Sequence, residues 1–262
     1  MYAKLSPGPR DASHLSCRPS ATCVLAQPYQ RVMRTVVVVP AFNEQDSVGE
    51  VVKRVLAGGM GVIVVDDGSS DLTAVEAESA GARVLRLPVN IGVGGALRTG
   101  FAYAVRRGFE RVIQVDGDLQ HDPALIPVLV EAADQTGAEL VIGSRFGSGS
   151  YPVSRGRRTL MRALARLVSR TVGTDLDDVT SGFRVISQPL LQRFAADYPT
   201  EYLGDTVEAI LLAHKHGATV AQVPVEMAPR ASGSPVSRLD AGRHLARVLF
   251  SMAVRSWGRS PS

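Results

Sequence analysis

From Thr35 to about Gly143 the chain alternates short β-branched runs with stretches of helical spacing, and this alternation narrows its fold more than any other feature. Thr35–Val39 is β-branched throughout, the composition of a strand buried on both faces of a parallel sheet. Val62–Val65, Ala82–Leu87, Val112–Val115 and Leu140–Gly143 read as further strands. Helices are predicted over Ser47–Leu56, from Asp71 as cap to about Ala80, from the Asn90–Ala96 stretch to about Arg107, and over Pro123–Thr136. Strands alternating with helices predict a parallel, doubly wound α/β sheet. Past Ser144 the regularity falters. Residues 144–154 read as a Gly/Ser loop, Thr159–Val172 as a long amphipathic helix and Phe183–Ile186 as a short strand. Asp205–His216 reads as a helix, Thr219–Val225 as the last strand and Leu239–Trp257 as a closing amphipathic helix.

A chain of 262 residues can bury one sizeable core. We divide it into a disordered extension over 1–32, a main α/β domain over 33–230, and a C-terminal loop and helix over 231–262. The extension is rich in Pro, Ser and Arg, has no periodicity and lacks the apolar centre of a signal peptide. Met33 directly precedes the first strand, which makes it a candidate natural start. Both cysteines, Cys17 and Cys23, fall in the extension at a spacing that matches no common metal motif. The cysteine-free remainder suits a reducing compartment. No apolar run approaches the ~20 residues that span a bilayer. Aromatic residues make up only 5 % of the chain, too few for the stacking platforms of a nucleic-acid binder. No nucleic-acid partner is expected.

The chemistry concentrates at strand ends. Asn43-Glu44 follows the first strand, Asp66-Asp67 the second, and Asp116-Gly117-Asp118 the run Val112–Val115. In a parallel sheet all three arrive at one edge, where open α/β sheets bind ligands. Asp116 and Asp118 would repel one another without a cation between them. Hard carboxylate oxygens favour Mg²⁺ or Mn²⁺, ions that commonly also hold substrate phosphates. Gly117 lets a ligand approach the backbone. A nucleotide fits this edge, with Asp66 or Asp67 accepting hydrogen bonds from base or ribose. The Gly92-Val-Gly94-Gly95 stretch follows the third strand and does not have the spacing of a dinucleotide-binding loop. Close packing of a helix on the sheet is its expected use.

Five stretches in order carry a resemblance: Val39-Pro-Ala-Phe-Asn-Glu44, Val65-Asp-Asp-Gly-Ser-Ser-Asp71, Asn90-x-Gly-x-Gly-Gly-Ala96, Asp116-Gly-Asp-Leu-Gln-His-Asp-Pro123 and Thr180-Ser-Gly-Phe-Arg184. Together, over roughly residues 34–230, they resemble glycosyltransferase family 2 with its GT-A fold. Within it they most resemble the dolichol-phosphate (polyprenyl-phosphate) mannosyltransferase-like branch. The resemblance implies an inverting transfer from a nucleotide-sugar donor. It implies that Pro40, Phe42, Glu44 and Asp66 line the nucleoside pocket and that Asp116 and Gly117 touch the donor. Asp118 and Gln120, with Asp116, would hold Mg²⁺ or Mn²⁺. Arg145 and Arg230 match arginines that such enzymes aim at phosphates. The lipid-phosphate branch usually follows its late Arg with Gly-x-Ser-Lys, whereas Arg230 here is followed by Ala-Ser-Gly-Ser-Pro and then Val236, with Arg238 the nearest cation. The Gln-x-x-Arg-Trp of polymer synthases is absent.

The acceptor is expected to be a polyprenyl phosphate or a glycan or glycolipid hydroxyl. A phosphate oxygen is already anionic, whereas a hydroxyl needs a base. Asp205 and Glu208, ahead of Glu201, are the candidates, and Asp205-x-x-Glu208 equally reads as a capping box. Arg158, Arg162, Arg166 and Arg170 form one stripe of the 159–172 helix, beside Leu160, Leu164, Leu167 and Val168. Arg243, Arg247 and Arg255 repeat the pattern in the last helix. Such helices suit an anionic membrane surface, and an oligomer interface gives the same apolar stripe. The expected setting is therefore cytoplasmic and peripheral at the inner face of the plasma membrane, with a membrane protein or a second copy as further partners. Two rival readings remain: a sugar nucleotidyltransferase, although Pro40–Asp46 lacks the glycine-rich cationic loop of that class, and an inactive nucleotide-sugar-binding partner.

Overall fold

The computed structural model describes residues 34–146, 155–199 and 205–226. The extension 1–32, Met33, most of the 144–154 loop, Arg230 and the 231–262 segment with its expected helix lie outside the described residues. Seven strands form one sheet among them: β1 (Thr35–Ala41), β2 (Val62–Asp66), β3 (Arg83–Arg86), β4 (Arg111–Gln114), β5 (Leu140–Ser144), β6 (Arg184–Ser187) and β7 (Val220–Pro224). Their order is β3-β2-β1-β4-β6-β5-β7. The helices are α1 (Val48–Ala57), α2 (Thr73–Ser79), α3 (Val93–Arg106), α4 (Ile126–Thr136), α5 (Arg155–Val172), α6 (Leu190–Asp197) and α7 (Asp205–Lys215).

The β-branched runs form the middle of the sheet because both of its faces are covered. Val37, Val39, Ile113 and Val141 point to one face and are buried with Val48, Val52 and Val55 of α1 and Ile126 and Leu129 of α4. Val36, Val38, Val112 and Ile142 point to the other and meet Leu97 and Phe101 of α3, Val168 of α5 and Ile210 of α7. The close approach of α3 to the sheet comes from Gly100, not from the glycines of its first turn. A Cβ at 100 would lie 2.5 Å from Val38 Cγ1, whereas one at Gly95 would meet only the side chain of Ile91.

Several elements differ from the sequence reading. β1 runs on through Pro40 and Ala41, which were expected in a loop. The sheet is mostly parallel, but β6 runs antiparallel to both β4 and β5. A 3₁₀ turn over Pro123–Leu125 precedes α4, with Asp122 accepting the Ala124 N–H at 3.0 Å. Asp71 stands one residue before the N-cap of α2, Leu72, yet still accepts the Thr73 N–H at 2.9 Å. Helix α6 was not foreseen; Phe194 and Tyr198 fasten it to Phe101 of α3, with ring centroids 6.3 and 5.2 Å from the Phe101 ring. Helix α5 starts four residues earlier than expected, at Arg155. Leu164, Ala165 and Val168 of α5 are core residues, so much of its apolar stripe is buried inside the protein. Its exposed side is cationic, carrying Arg162, Arg166 and Arg170.

Candidate active site

The chain runs outward from β1 through β2 to β3 and then returns to place β4 on the other side of β1. A reversal of this kind opens a crevice at the carboxyl ends of the strands on either side. The turn Asp116-Gly117-Asp118 leaves β4 there and lies against the end of β1. A Cβ on Gly117 would sit 3.5 Å from the Pro40 carbonyl and 3.7 Å from Glu44 Cγ, ordinary contact distances. The protein's own packing therefore does not demand a glycine at 117.

The two aspartates are held differently. Asp118 is buried and its Oδ1 accepts the Gln120 N–H at 3.1 Å. Leu119, between Asp118 and Gln120, adopts φ 62, a left-handed conformation that costs a branched residue about 1–2 kcal/mol. Asp116 keeps 37 % of its side chain exposed, and its Oδ2 lies 3.4 Å from His121 Nδ1. That nitrogen also accepts the Asp116 N–H, at 3.4 Å. His121 is buried with its ring stacked on Phe183, centroids 5.2 Å apart. Burial pushes its pKa down to about 4; Asp118 and Asp178 pull upward, while Arg145 and Arg184 reinforce the fall. The imidazole is thus neutral at physiological pH, an acceptor at Nδ1.

The loops after β1 and β2 are laced together. Asn43, at φ 54, accepts the Ser70 N–H at 2.9 Å and donates its own N–H to Ser69 Oγ at 3.0 Å. The Glu44 N–H donates to Thr73 Oγ1 at 2.8 Å, and the Glu44 carboxylate accepts the Ser47 hydroxyl at 2.9 Å. Asp71 accepts amides from Thr73 and Gln45. Burial raises the Asp71 carboxyl, but the Thr73 hydroxyl and these amides outweigh it and hold it below the usual range. Asp66 is buried and accepts the Ser69 N–H at 3.1 Å. Pro40 is a buried strand residue, while Phe42 is 45 % exposed at the rim.

Asp67 and Arg145 are both engaged by neighbouring parts of the protein. Asp67 is buried, and its two oxygens accept the N–H groups of Ile91 and Gly92 at 2.8 and 2.9 Å. It thereby fixes the loop that opens α3, where a base or ribose contact was expected. Arg145, expected to face a phosphate, places Nε and Nη2 on the Asp178 carboxylate at 2.6 and 2.7 Å. Nη2 also donates to the Thr180 hydroxyl. Burial raises the Asp178 carboxyl, yet the Arg145 guanidinium and the amides of Arg145 and Thr180 hold it well below the usual carboxylate range. Helix α7 begins at Asp205, so that residue is its first helical position rather than its cap, and Glu208 is half-buried one turn on. The Asp205 side chain and Arg230 lie outside what is described.

His121 and Asp178 were assigned no role from the sequence. His121 had a signal, being a polar residue inside the Asp116–Pro123 stretch; Asp178 had none, since its partner lies 33 residues away. Among the described residues no three His, Cys, Asp or Glu side chains cluster as a metal-holding group. Asp116, Asp118 and the amide of Gln120 remain as hard oxygens. That set suits a cation which takes most of its ligands from phosphates and water, as Mg²⁺ and its like do, rather than a protein-built cage.

The profile of the family described as glycosyl transferase family 2 matches residues 36–194. The chain is 28 % identical over 239 residues to polyprenol monophosphomannose synthase of Mycolicibacterium smegmatis, covering 86 % of this chain and 87 % of that one. It is 29 % identical over 222 residues to undecaprenyl-phosphate mannosyltransferase of Micrococcus luteus, covering 80 % and 89 %. Among solved structures it is similar to glucosyl-3-phosphoglycerate synthase of Mycobacterium tuberculosis in complex with Mn²⁺, UDP and glucosyl-3-phosphoglycerate. The TM-score is 0.67 at 24 % identity, over 86 % of this chain and 80 % of that one.

Proposed function

The chain belongs to glycosyl transferase family 2, and from that premise we propose that it moves a hexose from a nucleotide-sugar to a polyprenyl phosphate, with inversion, at a membrane surface. The observation that carries this is the Asp116-Gly117-Asp118 turn lying against Glu44 at the switch point between β1 and β4. The names of the two curated relatives, both lipid-phosphate mannosyl enzymes, support the acceptor class.

The nucleoside would lie along the laced loops of β1 and β2, with Phe42 at the rim and Asp66 and Glu44 as acceptors. Gly117, which packing does not require, leaves the donor room against the backbone. Asp118, with Asp116 and Gln120, would hold Mg²⁺ or Mn²⁺, which supplies positive charge to the departing nucleoside diphosphate. Transfer is then a single displacement: a lone pair of an acceptor phosphate oxygen forms the bond to the anomeric carbon as the bond from that carbon to the diphosphate breaks, its electron pair leaving on the diphosphate. The oxygen is already anionic, so no protein base takes part. Among the described residues no helix is long and apolar enough to cross a membrane. The exposed arginines of α5 supply charge toward an anionic surface, worth about 1 kcal/mol for each one near it.

The test is product analysis. Protein with Mg²⁺ or Mn²⁺ is incubated with UDP- and GDP-sugars, with and without a short polyprenyl phosphate, and products are read by mass spectrometry. A lipid-phosphate-linked sugar that disappears in Asp118→Ala supports the proposal. Sugar passed only to a glycan or glycolipid hydroxyl would replace the acceptor and make Glu208 the base to examine. Turnover of no donor would refute the transferase reading.

A further inference from the structure

The segment Thr180–Arg184 lies directly behind Asp116, and Thr180, Phe183 and Arg184 tie it to different neighbours. Arg184 is fully buried, donating from Nε to the Ser181 carbonyl at 2.8 Å and from Nη2 to the Thr206 carbonyl in the first turn of α7 at 2.9 Å. Phe183 backs the His121 ring, whose Nδ1 meets Asp116. Gly182, between Ser181 and Phe183, faces the carboxylate itself. The three atoms nearest a Cβ at 182 all belong to the Asp116 carboxyl group: Oδ2 at 2.6 Å, Oδ1 at 2.7 Å and Cγ at 3.0 Å.

The backbone at that position does not call for a glycine. Its φ lies outside the left-handed region, so any residue can adopt the backbone. Gly143 nearby is different, since a Cβ there would meet the Val225 and Phe183 side chains and the glycine serves packing. At 182 the three atoms that a Cβ would meet first all belong to one functional group.

We propose that Gly182 is a positioning residue, whose bare backbone lets the Asp116 carboxylate stand where the donor and its cation are held. This rests on the donor-site reading above. Phe183 and Arg184 make the position rigid, one by propping His121 and the other by tying the segment to α7. An added methyl cannot push this strap back; it pushes the part-exposed carboxylate forward instead.

The test is a double-mutant cycle on Gly182→Ala and Asp116→Ala, read by calorimetric titration of MnCl₂ with UDP and, in parallel, GDP. Thermal unfolding is measured without metal. Gly182→Ala should unfold near the parent temperature and lose about tenfold or more in Mn²⁺-dependent nucleotide affinity, the range seen when groups behind a metal ligand are altered. Added to Asp116→Ala it should change affinity by less than about twofold, because the group it displaces is gone. Parent-like affinity in Gly182→Ala, or a full further loss in the double variant, overturns the inference. If Gly182→Ala alone unfolds early, the double variant must regain the unfolding temperature of Asp116→Ala, and failure to do so also overturns it. A parent that binds neither nucleotide with Mn²⁺ sinks the donor-site reading and this inference with it.

Discussion

Replacing His121 with glutamine should change how stability depends on pH more than it changes stability at neutral pH. The imidazole is buried, and its pKa falls from 6.5 to about 4. Between those values the unfolded chain binds a proton that the folded chain refuses, so unfolding free energy rises with pH and is lost on acidification. Each pH unit is worth about 1.4 kcal/mol, which gives about 3 kcal/mol over the whole window. Integrating the two titrations places about 2 kcal/mol of this between pH 7 and pH 5. Urea unfolding of the metal-free protein at those two pH values, in parent and in His121→Gln, isolates the contribution, because every other titrating group is common to both. The parent should lose about 2 kcal/mol more than the variant on going to pH 5. Equal losses would refute the reasoning, since they would mean that the imidazole is reached by solvent or is held charged by Asp116 and Asp118.

Asp178→Ala strips the fork partner from Arg145, whose side chain is 11 % exposed against 0 % for Asp178, and should cost about 3–5 kcal/mol in denaturant unfolding. Because the Asp178 carboxyl is held low, its contribution is present above the ordinary carboxylate range and is lost only as pH falls below it, through the folded value; a parent and variant that converge already at pH 5–6 would contradict this. Replacing Arg162, Arg166 and Arg170 together with alanine should weaken co-sedimentation with anionic vesicles by about 3 kcal/mol, and binding indifferent to lipid charge would remove α5 from the membrane account.

The half of the fold up to β5 was legible because its strands are β-branched runs that end in acids and alternate with helices. Their composition records burial on both faces. The direction of β6 was not legible: four residues, Arg184–Ser187, carry no directional signal, and only their register with Gln114 and Ile142 sets it. The stripe of α5 was read correctly as amphipathic, but a stripe cannot say whether its apolar side meets a bilayer or a core, and here Val168 meets the core. At the site, sequence spacing placed Asp116, Asp118 and Glu44 near one edge. It could not distinguish Asp66 from Asp67, whose oxygens are taken by amides of a loop 24 and 25 residues away. Nor could it show that Arg145 belongs to Asp178, because that pairing exists only once β5 and the segment before β6 are side by side.

A crystal of the protein grown with Mn²⁺ and a nucleoside diphosphate, mapped by anomalous scattering, would show directly whether the Asp116–Gln120 turn holds the metal and donor. A single manganese peak is expected at the Asp118 carboxylate, with the nucleoside lying along the β1 and β2 loops toward Phe42 and Asp66. Manganese and nucleotide bound away from the Asp116–Gln120 turn would contradict it.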